Sequence, residues 1–210
     1  MFCRFPPGTL RRVTSTDPTR SAAGRPRDSQ IDHAVLDATR ALLAEVGYQD
    51  VTIAAVARRA GVGTAPIYRR WPGKDALIED AVFGSETLWL PAVTEDLHAD
   101  LIAWARLFLE RVAEPATRAA VPGLMSAYHH DPARYRALHD RADLPARKAL
   151  ADRIAPAIPD GADESATTDL VFEILVARTL TRGVTHGLDD AETFCLRTAD
   201  ALYAIIRAGT

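Results

Sequence analysis

Apolar residues recur at three- and four-residue spacing from Ile31 to Ile206, and short segments rich in glycine or proline divide them into blocks. That spacing follows the helical repeat and places one apolar stripe on each block. No run of alternating apolar residues lies between hairpin turns, so the pattern predicts an all-α fold of about nine helices and no sheet. No internal repeat of fixed period is present. With 210 residues, 48% of them hydrophobic and 25% charged, the chain can bury a core without disulfide or metal support. Its two cysteines, Cys3 and Cys195, do not make a disulfide framework, which points to a reducing cytoplasm. No apolar run approaches the roughly 18 residues of a membrane span. The opening MFCRFPPGTLRRVTSTDP lacks the continuous apolar stretch of a secretory signal. A cytoplasmic protein with no membrane partner is expected.

Residues 1–28 hold four prolines and six arginines against two aspartates, and read as a flexible basic arm. The first helix carries Ile31, Val35, Ala38, Leu42, Leu43 and Val46, and Gly47 supplies its stop. The Thr52 hydroxyl can cap a second helix whose inner face is Ile53, Val56, Ala57 and Ala60, although Ala55 stands where a capping box would have Glu. Gly61 ends that helix, and only Val62 and Gly63 precede a third, TAPIYRRW. Pro66 is tolerated there because a first-turn amide has no intrahelical partner to lose. Trp71–Pro72–Gly73 breaks the chain before a fourth helix starting at Lys74. Further helices are expected over residues 97–115, 116–130, 132–158 with a kink or interruption at Pro145, 164–186 and 190–207. The organisation predicted is an arm (1–28), a helix-turn-helix domain (29–75) and a helical remainder (76–210).

Net charge is −3, but residues 1–75 carry twelve Lys/Arg against seven Asp/Glu, and the rest thirteen against twenty-one. A basic front half fits a polyanion partner, or simple drift in composition between domains. Thr52 to Lys74 is the informative segment. Two short helices joined by a Gly-containing turn make a helix-turn-helix, which projects the second helix from the surface. With Ile67 anchored inward, Thr64, Ala65, Tyr68 and Arg69 lie on other faces. A helix of about seven residues, roughly 10 Å long, suits a major groove about 12 Å wide. Tyr68, Arg69 and Arg70 close that helix. Lys74 and Thr52 sit at helix N-termini, where phosphates are favoured. Arg25 and Arg27 are placed to reach an adjacent minor groove.

The full string TIAAVARRAGVGTAPIYRRWPGKDAL resembles the TetR family of transcriptional regulators, strongly over residues 25–82 and more loosely over the remainder. The resemblance implies a homodimeric repressor that binds a palindromic operator, with an effector pocket and dimer interface in the C-terminal helices; the large side chains named below make the releasing effector a small apolar one. By position, it gives Thr64 and Ala65 the major-groove role, Tyr68 and Lys74 phosphate contacts, and Thr52 the backbone cap of the second helix. Arg70 falls where the family contacts phosphate or a base. Gly63 stands where the family commonly has Ser, and Pro66 where Thr is common. The reading helix therefore has a weaker cap and lacks one possible hydroxyl contact.

The last two helices are apolar over more of their circumference than one core stripe requires. Leu170, Ile174, Leu175, Phe194, Leu202 and Ile205 are the candidate dimer residues, the alternative being burial within one chain. Trp104, Phe108, Met125, Tyr128 and Phe172, with His129 as polar neighbour, are candidates for an effector pocket or else plain core packing. His129–His130–Asp131 suggests a metal, but adjacent histidines on a helix diverge by about 100° and no HExxH or paired-Cys spacing supports them. Ser126 and Ser165 have no nucleophile elbow. No catalytic residue, cofactor or metal is expected. The rival readings are a helical interaction module without DNA binding and a small-molecule-binding enzyme.

Overall fold

The computed structural model describes residues 10–14, 29–84 and 87–209. Ten α-helices and two short strands lie among them. The described residues divide into two compact units, one of residues 29–84 and 114–136, the other of residues 10–14, 87–113 and 137–209.

The first unit contains α1 (Ser29–Asp50), α2 (Ile53–Ala60), α3 (Thr64–Arg70), α4 (Lys74–Phe83), α6 (Pro115–His130) and the start of α7 (Pro132–Leu138). The expected stop in α1 is present as a backbone break at Gly47 (φ 78°, ψ 172°), after which one more helical turn runs to Asp50. Val35, Leu43, Val56, Ile67, Leu77 and Ile78 are fully or almost fully buried. The Arg40 Nε donates to the Ala81 carbonyl at 2.7 Å, satisfying a backbone acceptor in the last turn of α4. This unit is larger than the 29–75 segment marked out in the sequence. Helices α4 and α6 pack along α1, and Leu77, Ile78 and Ala81 of α4 are buried.

The second unit holds α5 (Leu97–Ala113), α8 (Leu144–Ile154), α9 (Glu164–His186) and α10 (Ala191–Ala208). Leu101, Trp104, Leu109, Leu150, Leu175 and Leu202 belong to its core. Asp163 caps α9 by accepting from the Ala166 amide at 3.0 Å. Cys195 is a buried free thiol, its pKa pushed up to about 11 chiefly by burial, so it is a core residue rather than a nucleophile.

One expectation is corrected here, and another is made specific. Leu10–Thr14, read as part of a flexible arm, forms β1, which pairs antiparallel with β2 (Thr87–Pro91), Leu10 opposite Pro91 and Thr14 opposite Thr87. The all-α reading holds for the body of the protein, with this two-stranded ribbon added. Along β2, Leu90 and Pro91 are buried and Trp89 is half exposed. A search for hairpins misses strands so far apart in sequence. The helical stretch over residues 132–158 is interrupted just before Pro145, in keeping with the expected break there. Helix α7 passes through a wider π turn, His139–Asp143, in which the Leu144 amide reaches the His139 carbonyl. The extra residue puts Pro145 in the first turn of α8, where no amide hydrogen is needed. This split brings the helix count to ten rather than nine.

Candidate nucleic-acid interface

The α2–α3 pair is built by local chemistry. The Thr52 Oγ1 accepts from the Ala55 amide at 3.1 Å, capping α2. Gly61 then adopts left-handed backbone values (φ 68°, ψ 28°), and the Val62 amide returns to the Ala57 carbonyl at 3.0 Å. A side chain at Gly61 would be strained in that conformation, so the turn specifies glycine. Ala57 is buried beside it. Gly63 begins α3 with no side-chain cap, as its lack of a hydroxyl dictates.

Helix α3 is held from within by Ile67, which is fully buried, and by Trp71, whose amide donates to the Ile67 carbonyl at 2.9 Å. The Trp71 indole Nε1 donates to Asp80 on α4 at 2.9 Å. The outer surface of α3 carries Thr64, Ala65 and Arg69, all exposed, and Tyr68, 57% exposed. An aromatic ring and a cation standing in water on a seven-residue helix are the residue types that meet sugar-phosphate and base edges. Arg58 and Arg59 are exposed in the last turn of α2, with Arg59 paired to Glu45 at 2.7 Å.

Two basic residues singled out in the sequence are engaged within the unit. Arg70 does not extend from α3. It forms an ion pair with Asp32 of α1, and its side chain is 19% exposed. Being one position round the helix from Arg69, it points back toward α1. Lys74 donates from Nζ to the Gln49 carbonyl at 2.9 Å and lies 4.7 Å from the centroid of the Tyr48 ring. Tyr48 is a residue that the sequence reading missed. The signal for it is an aromatic directly after a helix-breaking glycine, which must find a packing partner. Its hydroxyl donates to Asp75 at 2.6 Å, and burial with that carboxylate raises its pKa further above the usual phenol range, so it stays a neutral donor. Arg25 and Arg27 lie outside the described residues.

The candidate effector residues fall in both units. Trp104 stacks on Phe108 and Phe108 meets Phe172 edge-on, each with centroids 6.0 Å apart, as part of the packing of the second unit. In the first unit Tyr128 is buried and donates to Glu79 at 3.2 Å, while Met125 and His129 are exposed. A surface cleft of about 500 Å³ in the second unit is lined by Glu95, Asp96, Leu97, His98, Ala157 and Tyr203, none of them singled out in the sequence. Two candidate dimer residues are corrected: Leu175 and Leu202 are sealed in the core of their own unit and cannot touch a partner. Leu170 is 37% exposed, and Ile174, Phe194 and Ile205 are half-buried. Among the described residues no group of three or more His, Cys, Asp or Glu is placed to hold a metal ion. None of their helices is long and apolar enough to cross a membrane.

Comparison with known proteins accords with this geometry. Residues 35–81 match the model of bacterial regulatory proteins of the tetR family, and residues 91–202 match the tetracyclin repressor-like C-terminal domain. Among curated relatives, the HTH-type transcriptional regulator YdeS of Bacillus subtilis is 42% identical over 72 residues, or 34% of this chain and 36% of that protein. The HTH-type transcriptional regulator AqdR of Rhodococcus erythropolis is 37% identical over 92 residues, covering 43% of this chain and 44% of that one. The matched region thus spans less than half the length of either relative. Among solved structures, Salmonella enterica GusR shares the fold with a TM-score of 0.62 at 18% identity, over 86% of this chain and 97% of that one. With the second family model alone matching more than half of the residues, the chain belongs to the TetR family of bacterial regulatory proteins, a family of DNA-binding transcriptional regulators and not of enzymes.

Proposed function

We propose that this chain binds a palindromic operator as a homodimer, represses transcription in the cytoplasm, and is released by a small apolar effector. Helix α3 enters the major groove, with Thr64 and Ala65 against base edges and Tyr68 and Arg69 near the backbone. Lys74, at the start of α4, meets a phosphate, and Gly63 brings the uncapped start of α3 close to the duplex. Arg25 and Arg27 reach the neighbouring minor groove. The observation that carries this reading is the exposure of Thr64, Ala65, Tyr68 and Arg69 on a helix anchored by Ile67 and Trp71. A buried α3 would have excluded it.

Two half-sites require two chains, spaced by about one helical turn, roughly 34 Å, or a multiple of it. The exposed residues of α9 and α10, Leu170 and Leu196 among them, support pairing through that face. The apolar cluster of Trp104, Phe108 and Phe172 supports an apolar effector, which acts by favouring a spacing of the two reading heads that no longer matches the operator. By linkage, operator DNA weakens the effector equally.

The test is a mobility-shift titration, at increasing salt, on the promoter DNA adjoining the gene. Retardation at low salt that declines with salt is expected. Lys74→Ala weakens binding to all sequences and reduces the salt slope by about one, whereas Thr64→Ala changes operator preference. Equal effects of both variants on operator and random duplex would refute this division of roles. Absence of any retardation at low salt would favour an interaction module instead.

A further inference from the structure

Tyr48 stands one residue past the helix break in α1, and two elements, α4 and α6, converge on it. From α4, the Lys74 ammonium lies 4.7 Å from the ring centroid while Nζ donates to the neighbouring Gln49 carbonyl. Also from α4, Asp75 accepts from the hydroxyl at 2.6 Å. From α6, Gly123 packs directly on the ring: a Cβ added there would lie 2.2 Å from Tyr48 Cδ1, far inside contact distance. Only a residue without a side chain lets α6 approach this closely. A second connection joins the same helices, since Arg134 lies 3.8 Å from Asp75 and donates to Glu79 at 3.2 Å, and Glu79 also accepts from Tyr128 of α6.

We propose that Tyr48 is the positioning residue through which α6 sets the Lys74 ammonium against a backbone phosphate, with Gly123 as the contact that seats the ring. The proposal rests on the DNA-binding reading above and adds to it a packing route from α6 to one phosphate contact. A lysine stem is flexible, and its ammonium is a compact point charge with no preferred geometry of its own. The π face of Tyr48 attracts that charge and narrows the stem to rotamers that lie over the ring. The ring cannot move toward α6, because the backbone at Gly123 is already against it. Displacement of α6 therefore moves the ring, and the ring moves the ammonium.

The experiment measures binding of the full chain to a short random-sequence duplex as a function of salt concentration, with a thermal melt of each variant as the folding control. Lys74→Ala lowers the magnitude of the salt slope by about 0.9 per protomer engaged, the signature of one lost phosphate contact. Tyr48→Leu keeps apolar bulk but removes the π face, and gives the same loss. Tyr48→Phe restores the ring without the hydroxyl and recovers the slope, and Tyr48→Leu loses slope at an unchanged melting temperature, which a merely structural role for Tyr48 would not produce. Gly123→Ala lowers the slope in the natural background and adds nothing to Tyr48→Leu. If Gly123→Ala does not fold, the Tyr48→Leu and Tyr48→Phe pair decides alone. A full slope in Tyr48→Leu, or no change in Lys74→Ala, overturns the proposal while DNA binding itself stands. A natural chain that retards no duplex at the lowest salt overturns the DNA-binding reading, and this proposal with it.

Discussion

Arg70 and Lys74 lie four residues apart in a basic stretch, yet their surroundings differ. Arg70 ends α3 with its guanidinium against Asp32, both side chains about three-quarters or more buried. Removing one member of such a pair leaves a poorly solvated charge behind. Arg70→Ala is therefore expected to cost about 1–2 kcal/mol, between the values for exposed and for buried pairs, read as a lower urea midpoint at unchanged m. Its salt slope on DNA should equal that of the natural chain. A reduced slope at full stability would mean that Arg70 leaves Asp32 for a phosphate. The sequence contains both residues, but nothing local says that Asp32, thirty-eight positions earlier, lies opposite. Arg69, one position away, is exposed, so a single residue of helical rotation separates an internal strut from a surface cation.

Elements whose ends are set by their own residues were legible before any coordinates. Thr52 and Gly61 each act within one helical turn, and α2 begins and ends where those residues predict. Thr52→Ala should lower stability by about 1 kcal/mol through the lost cap, measurable as a shift in urea midpoint. Thr52→Asp, which keeps an acceptor, should leave it nearly unchanged. A full-strength midpoint in Thr52→Ala would show that the α2 cap contributes nothing to folding. Elements that depend on distant partners were not legible. Leu10–Thr14 looks like any basic, Thr-containing arm until Thr87–Pro91 supplies its hydrogen bonds, more than seventy residues later. The π turn at His139–Asp143 is a milder case: Pro145 announces that the helix must yield, and the backbone yields just before it.

For the whole molecule, the apolar excess on the last two helices separates into two populations that share one spacing. Leu175 and Leu202 close the core of one chain, while Leu170 and Leu196 are left outside it, the latter 45% exposed. If the outer set pairs two chains, Leu196→Glu places two like charges near the twofold axis. The variant should keep its helical circular dichroism, shift toward monomer in sedimentation equilibrium, and lose affinity for a two-half-site duplex far more than for a single half-site. An unchanged mass would send the search for the interface to another face. The boundary expected at residue 75 belongs to this scale too, because only packing of α4 and α6 on α1 extends the compact unit beyond the reader helices.

Helical period, caps, turn glycines and the anchoring of α3 by Ile67 were determined by the sequence alone, since each depends on residues within about one or two turns and on the hydrophobic effect acting on a regular stripe. Only the tertiary structure decided that Arg70 faces Asp32, that Tyr48 lies under Lys74 and against Gly123, that Leu175 is sealed while Leu170 is exposed, and that a ribbon joins residues 10–14 to 87–91. Each of those outcomes pairs groups far apart along the chain. Their energies come from proximity and exclusion of water, which residue type and spacing do not encode.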